Sequence, residues 1–267
     1  MKKVLLLMIA GTITMFAFGQ EKESRIVSDF TGIDASSVFN ITVTKGNTES
    51  LVIEADDAVM AYVRSEVRNG VLRLSVEKGY ESRVKSIKTL KAFVVMKDLD
   101  RVSLSGACSL TSKDLFTPDS FRGDCSGVSH LTVQVQTGRL SMGASGASKI
   151  EINAGVTGET KLDVSGTSKM QVDLRGSNIR LSSSGVSSIG LTGLATDIKI
   201  NISGSSSVKA KEFTVQTATI GSSGTSSVTI GVTDTLKVNT SGVSSVYYKG
   251  SPAVQISSSG ASKVRSL

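Results

Sequence analysis

The residue type best placed to do chemistry in this chain is serine. Ser-Gly-x-Ser recurs nine times between Ser105 and Ser262, with Cys108 standing for the last serine of the first copy. A serine nucleophile needs a histidine to take its proton and a carboxylate to orient that histidine. His130 is the sole histidine, and no carboxylate has a spacing that singles it out as a partner. Metal chemistry is no better supplied: there is no Cys-His cluster, and the regular Asp of calcium-binding β-solenoid repeats is missing. Paired carboxylates for glycoside cleavage do not align either. Three residues before the glycine, Asp124 and Asp163 share an offset, but Gly143 lies between them. Phe116, Phe121 and Phe213 are the only aromatics between residues 101 and 246, too few for a sugar-stacking platform. The sequence therefore assigns no catalytic, metal-binding or cofactor-binding residue. Nine serines in one pattern read as architecture.

The glycines of the repeat, Gly106, Gly127, Gly146, Gly166, Gly185, Gly204, Gly224, Gly242 and Gly260, stand 18 to 21 residues apart. A period near 19 is one coil of a solenoid, too short for a strand–helix–strand unit. Four residues before the glycine the chain is apolar in every coil but the second, where Gly123 stands. Four residues after it, from Leu110 to Val264, the apolar column has no exception. Strand side chains alternate faces, so even offsets are expected inside and odd offsets outside. By that rule the nine glycines and the second serines form an inward corner column, and the first serines look outward. The glycine removes volume where the coil narrows and can take a backbone angle closed to other residues. These features predict an all-β, right-handed parallel β-solenoid (β-helix), with about three short strands per coil. Nine coils at ~4.8 Å give a rod of roughly 40 Å.

Residues 20–100 read as the start or cap of that solenoid, ahead of the coils at 101–267. Phe39, Ile41 and Val43 alternate as a strand, Leu51 to Glu54 form another, and Leu72-Leu74-Val76 and Ala92-Val94-Met96 two more. Asp56-Asp57 opens an expected short helix, with Val59, Val63 and Val67 at four-residue spacing and Asn69-Gly70 ending it.

Residues 1–19 have the layout of a cleaved signal peptide: Lys2-Lys3, an apolar run from Val4, and Ala17-Phe18-Gly19 before Gln20. Its removal takes the formal charge from +7 to +5. The remaining basic residues are scattered singly, which argues against a nucleic-acid groove. No second membrane segment appears. Cys108 and Cys125 would meet an oxidising compartment, where they form a disulfide or remain buried thiols. One past the second serine, His130, Lys149, Lys169 and Lys263 share an outward offset. That column is either a binding face for an anionic polymer or a row of cations guarding the sheet against aggregation.

Several stretches resemble one family, the putative auto-transporter adhesin head GIN domain of secreted bacterial proteins found widely in Bacteroidetes. They are Arg25-Ile26-Val27 to Phe30-Thr31-Gly32-Ile33, then Phe39-Asn40-Ile41-Thr42-Val43, Ile53-Glu54-Ala55-Asp56-Asp57 and Asn69-Gly70-Val71-Leu72. Val246-Tyr247-Tyr248-Lys249-Gly250-Ser251-Pro252 and Ser259-Gly260-Ala261-Ser262-Lys263-Val264 are similar to its closing coil. The resemblance implies a right-handed β-solenoid outside the cytoplasm, adhesive in role, with no catalytic residue to carry over.

Taken together the expectation is a non-enzymatic adhesin or envelope scaffold, periplasmic, cell-surface or extracellular, with no cofactor. Its partner would be a surface or envelope protein or glycan. A binding module for anionic envelope polysaccharide is the alternative, and a polysaccharide lyase or hydrolase comes third. The strand edges of the last coil suggest end-to-end self-association.

Overall fold

The computed structural model describes residues 20–80 and 90–267, so the leader at 1–19 lies outside the described residues. The N-terminal part comprises β1 (Gln20–Arg25), β2 (Gly32–Ala35), β3 (Asn40–Lys45), β4 (Ser50–Asp56), α1 (Asp57–Met60), β5 (Val63–Arg68), β6 (Val71–Val76) and β7 (Leu90–Met96). The first coils follow as strand pairs: β8 (Arg101–Leu104) and β9 (Ser109–Phe116), β10 (Ser120–Cys125) and β11 (His130–Thr137), β12 (Arg139–Ala144) and β13 (Lys149–Val156). Next come β14 (Glu159–Val164), β15 (Lys169–Arg175), β16 (Asn178–Ser183) and the long β17 (Ser188–Ile202), β18 (Ser207–Ser222) and β19 (Ser227–Thr240). β20 (Ser245–Lys249), β21 (Ala253–Ser258) and β22 (Lys263–Ser266) close the chain.

From β8 onward every ladder is parallel and joins a strand to its equivalent one coil away, as in β10–β12, β12–β14 and β11–β13. The result is a parallel β-solenoid of about nine turns with coils of ~19 residues. Each early coil holds two strands where three were expected. The sharp break is the Ser-Gly corner. The remaining bend is taken up gradually, with register shifts such as that between Gly190 and Gly193, so β17 to β19 run through it unbroken.

The inside of the rod is largely apolar, with buried serines and threonines at the corners and bends. Leu162, Leu181, Ile200 and Ile220 stack four residues before successive glycines, and none is accessible to solvent. Gly123 interrupts that column, and its space is filled: a Cβ there would meet the methyl carbon of Met142 at 2.6 Å. Burying a column of this kind contributes about 1.5–3 kcal/mol per large side chain before the entropy of ordering is counted. In the last of the described coils Ile256 is 53% exposed.

The glycine column does not point inward. All nine corner glycines are exposed, while the residues two before and two after them are buried in the first eight coils. Alternation fails at this one point because each glycine adopts φ between 70° and 80°. Such an angle turns the chain through the corner, so the glycine itself faces outward while the residues two before and two after it stay inside.

The N-terminal segment departs from the sequence reading in one further respect. The helix is only Asp57–Met60, and the Asp56 side chain makes no capping bond. Val63 and Val67 belong to β5, which pairs antiparallel with β6. A spacing of four fits a strand as well as a helix, since it is also a multiple of two, and β-branched valine favours the strand. Asn69 and Gly70, at φ 52° and 72°, are the two-residue turn of the β5–β6 hairpin. β2 and β3 run parallel to β8 and β9, so the first repeat coil is laid on a strand pair already in place.

Candidate binding groove

Each corner is built from its four residues. The N–H after the glycine donates to the carbonyl of the glycine one coil back, as Val128 does to Gly106 at 2.7 Å and Val186 to Gly166 at 2.8 Å. The first serine is tied to the neighbouring coil through both backbone and side chain. Ser126 N–H donates to Leu104 O at 2.9 Å, and its hydroxyl reaches the same oxygen at 3.3 Å. Ser105, Ser145, Ser165, Ser203 and Ser259 repeat that hydroxyl contact at 3.4 to 3.5 Å. The second serine is buried and closes its own corner: Ser129, Ser226 and Ser244 donate to the carbonyl three residues back at 2.6, 2.9 and 3.0 Å. Others link coils, as Ser187 does in donating to the Ser206 hydroxyl at 3.1 Å. A buried hydroxyl without a partner costs about 1–3 kcal/mol, which is why these are bonded. None of these bonds arranges a serine as a nucleophile.

Beside the corners an open groove of about 850 Å³ runs along the axis. Its floor combines the residue three before each glycine, including Asp124, Gly143, Asp163, Asn201, Gly221 and Asn239, with the buried residue two before it, such as Leu104, Val164 and Ile202, and its wall is the row of first serines. The two floor glycines make room for their neighbours. A Cβ on Gly143 would stand 2.6 Å from Asp124 Oδ1, and one on Gly221 3.0 Å from Asn201 Oδ1. Asp124 and Asp163 thus share the floor two coils apart, roughly 10 Å between backbones. Each is held by a cation of its own strand, Asp124 by Arg122 at 2.6 Å and Asp163 by Lys161 at 2.9 Å. The contact with Asp124 raises the pKa of Arg122 further. The oxygens of such a row accept hydrogen bonds from a long polar ligand, and the hydroxyl and amide N–H groups can donate them.

The outward column expected to bind anions is only partly assembled. His130, Lys149 and Lys169 lie on consecutive rungs of β11, β13 and β15. Four serines separate Lys169 from Lys263, at Ser188, Ser207, Ser227 and Ser245. Glu151 lies 2.5 Å from Lys149 Nζ on its own strand and, diagonally across to the neighbouring coil, 3.6 Å from His130 Nε2. Lys149 holds its carboxyl below the usual range, with burial opposing and His130 adding a smaller pull. Sequence spacing hid this carboxylate because it reaches His130 across coils. The cluster is still not a relay: the Thr132 hydroxyl, at 3.3 Å, and Glu151 both approach His130 through the same nitrogen, Nε2. A triad needs the hydroxyl on one ring nitrogen and the carboxylate on the other.

Cys108 and Cys125 are free thiols, both buried. Burial pushes their pKa values up to about 11 and about 12. Among the described residues no group of three or more His, Cys, Asp or Glu could hold a metal ion. No helix among them is long and apolar enough to cross a membrane.

The family model described as "Putative auto-transporter adhesin, head GIN domain" matches residues 29–173 and again 156–252. The chain belongs to this head GIN domain family. That the model matches twice reflects the coil repeat, which lets one pattern fit two overlapping stretches. Among solved structures the head GIN domain chain is similar to a putative adhesin from Parabacteroides distasonis (TM-score 0.69, 19% identity, covering 94% of this chain and 98% of that one). A putative adhesin from Parabacteroides merdae is similar at TM-score 0.67 and 21% identity, over 93% and 96% of the two chains. A second P. distasonis structure, a putative lipid binding protein, has TM-score 0.64 and 17% identity over 93% and 96%. At these identities the likeness is one of fold. A search of curated proteins finds no match.

Proposed function

We propose that this head GIN domain protein is an exported, non-catalytic adhesin that holds an envelope or surface component against the side of its solenoid. The observation that carries the reading is the axial groove, lined coil after coil by serine hydroxyls and by Asp and Asn side chains. A rod whose coils are joined by continuous parallel ladders is stiff along its axis, so a ligand meets a preformed row of polar groups and orders little protein on binding. Membership of an adhesin family supports a binding role. The non-catalytic part is supported by the geometry at His130, where the Thr132 hydroxyl and Glu151 both approach Nε2 and form no relay. Export rests on the leader-like residues 1–19.

Residues 20–267, fixed to beads and exposed to envelope fractions and a glycan array, test this directly. Saturable retention with no new reducing ends or unsaturated products is the expected result. Release of cleaved glycan would replace the adhesive role with an enzymatic one, and failure to retain anything would remove it.

A further inference from the structure

Basic residues that look scattered along the sequence form a line in space. Five residues before the corner glycine, parallel pairing stacks Arg101, Arg122, Lys161, Arg180, Lys199 and Lys237 in one outward ladder. Only Ser141 and Thr219 interrupt it. Seven rungs separate Arg101 from Lys237, a span of roughly 34 Å. The ladder lies two residues along each strand from the groove floor, on the same face and about 7 Å from it. Three of the cations touch carboxylates, Arg122 and Lys161 as above and Arg180 with Glu159 at 2.9 Å. Arg101, Lys199 and Lys237 are exposed and have no ion-pair partner among the described residues.

We propose that this ladder and the groove beside it form one site for a linear, negatively charged polysaccharide lying along the solenoid axis. The proposal rests on the adhesive reading and names the class of its partner. The ladder supplies charges at intervals of one or two coils, and the groove supplies the hydroxyl, amide and carboxylate groups that pair with sugar hydroxyls. The exposed ion pairs present little obstacle, because pairs of this kind are worth only about 0–1 kcal/mol and their guanidinium and ammonium groups exchange partners easily. Two alternatives fit less well. A single-stranded nucleic acid would want aromatic faces for its bases, and neither the ladder, the groove floor nor the serine wall has an aromatic residue. A membrane would want exposed apolar side chains on the same face, and the apolar residues that line the groove, such as Leu104, Val164 and Ile202, are buried.

The test uses residues 20–267 and immobilised alginate and dextran sulfate, with neutral dextran, a 30-mer single-stranded DNA and vesicles of phosphatidylglycerol and phosphatidylcholine as comparison probes. A triple variant, Arg101→Gln, Lys199→Gln and Lys237→Gln, removes the three unpaired cations. A control variant, Lys149→Gln, Lys169→Gln and Lys263→Gln, removes the same charge from the other column. Circular dichroism and melting check that both fold. The expected result is binding to the charged polysaccharides, weakened by salt. The ladder variant should bind about tenfold more weakly and the control less than about twofold. Equal losses in the two variants would mean net charge alone, and would overturn the site. Stronger binding of DNA or vesicles through the same three cations would overturn the polysaccharide. Retention of neutral glycans or envelope proteins without the charged polymers would overturn this proposal and leave the adhesive reading standing.

Discussion

The Gly166 carbonyl oxygen accepts the N–H of Val186 at 2.8 Å, and a Cβ on Gly185 would stand only 2.6 Å from that same oxygen. Coil-to-coil bonding and the absence of a side chain are therefore one requirement at this corner. With φ at 80°, Gly185 also holds an angle that other residues adopt only at a cost. Gly185→Ala is expected to destabilise by roughly 2–4 kcal/mol, strain and clash together. Gly155→Ala is the comparison, since its Cβ would meet nothing closer than Gln136 Cγ at 3.7 Å and its φ is not positive. It should fall within about 1 kcal/mol of the parent. Equal denaturation midpoints for the two variants would refute the corner mechanism.

Thr160 offers the opposite case. Its hydroxyl is fully buried in β14 and has no hydrogen-bond partner, between Leu140 and Ile179 on the adjoining coils. Thr160→Val keeps the shape and deletes the unpaired group, so it is expected to stabilise by about 1–2 kcal/mol. A lower urea midpoint for that variant would mean the hydroxyl has a partner after all.

Glu54 gives the N-terminal part an acid-sensitive joint. Its buried side chain on β4 meets Lys91 Nζ at 2.8 Å and Lys22 Nζ at 3.3 Å. The bond from Lys91 is the main cause of a carboxyl pKa below its ordinary 4.5, opposed by burial and helped by Lys22. A carboxyl whose pKa is lower in the folded state stabilises above the unfolded value, and that contribution is lost as pH falls through the folded one. Melting temperature should drop as pH falls below 4.5, less steeply in Glu54→Gln. Parallel pH profiles for the two proteins would rule out this joint.

The thiols of Cys108 and Cys125 are shielded twice, by packing and by pKa values raised to about 11 and about 12. The native protein should not react with Ellman's reagent at pH 8, and after unfolding in guanidinium it should release two equivalents. No reaction even when unfolded would show that the pair is oxidised.

Much of the coil was legible in advance because each residue of a solenoid stacks on its own equivalent. One glycine-based numbering put Leu110 and Val264 in one column, and the ladders run through those positions. The basic ladder was just as readable in principle, since Arg101 to Lys237 share one offset, yet single charges spread over a sequence do not look like a patch. The hairpin turn at Asn69-Gly70 was equally present as a two-residue signal. It was obscured because valines four apart suit a helix and a strand alike.

The sequence by itself determined the coil length and the apolar interior, because a stacked repeat writes its periodicity directly into the chain. Tertiary structure alone decided which way the corner glycines face, since a positive φ breaks the alternation on which the inward assignment rested. It also decided that Glu151 reaches His130 from the next coil, and that six separate cations make one ladder beside a serine-walled groove. Those relationships depend on register between coils, and register is set by backbone pairing across about 19 residues of chain.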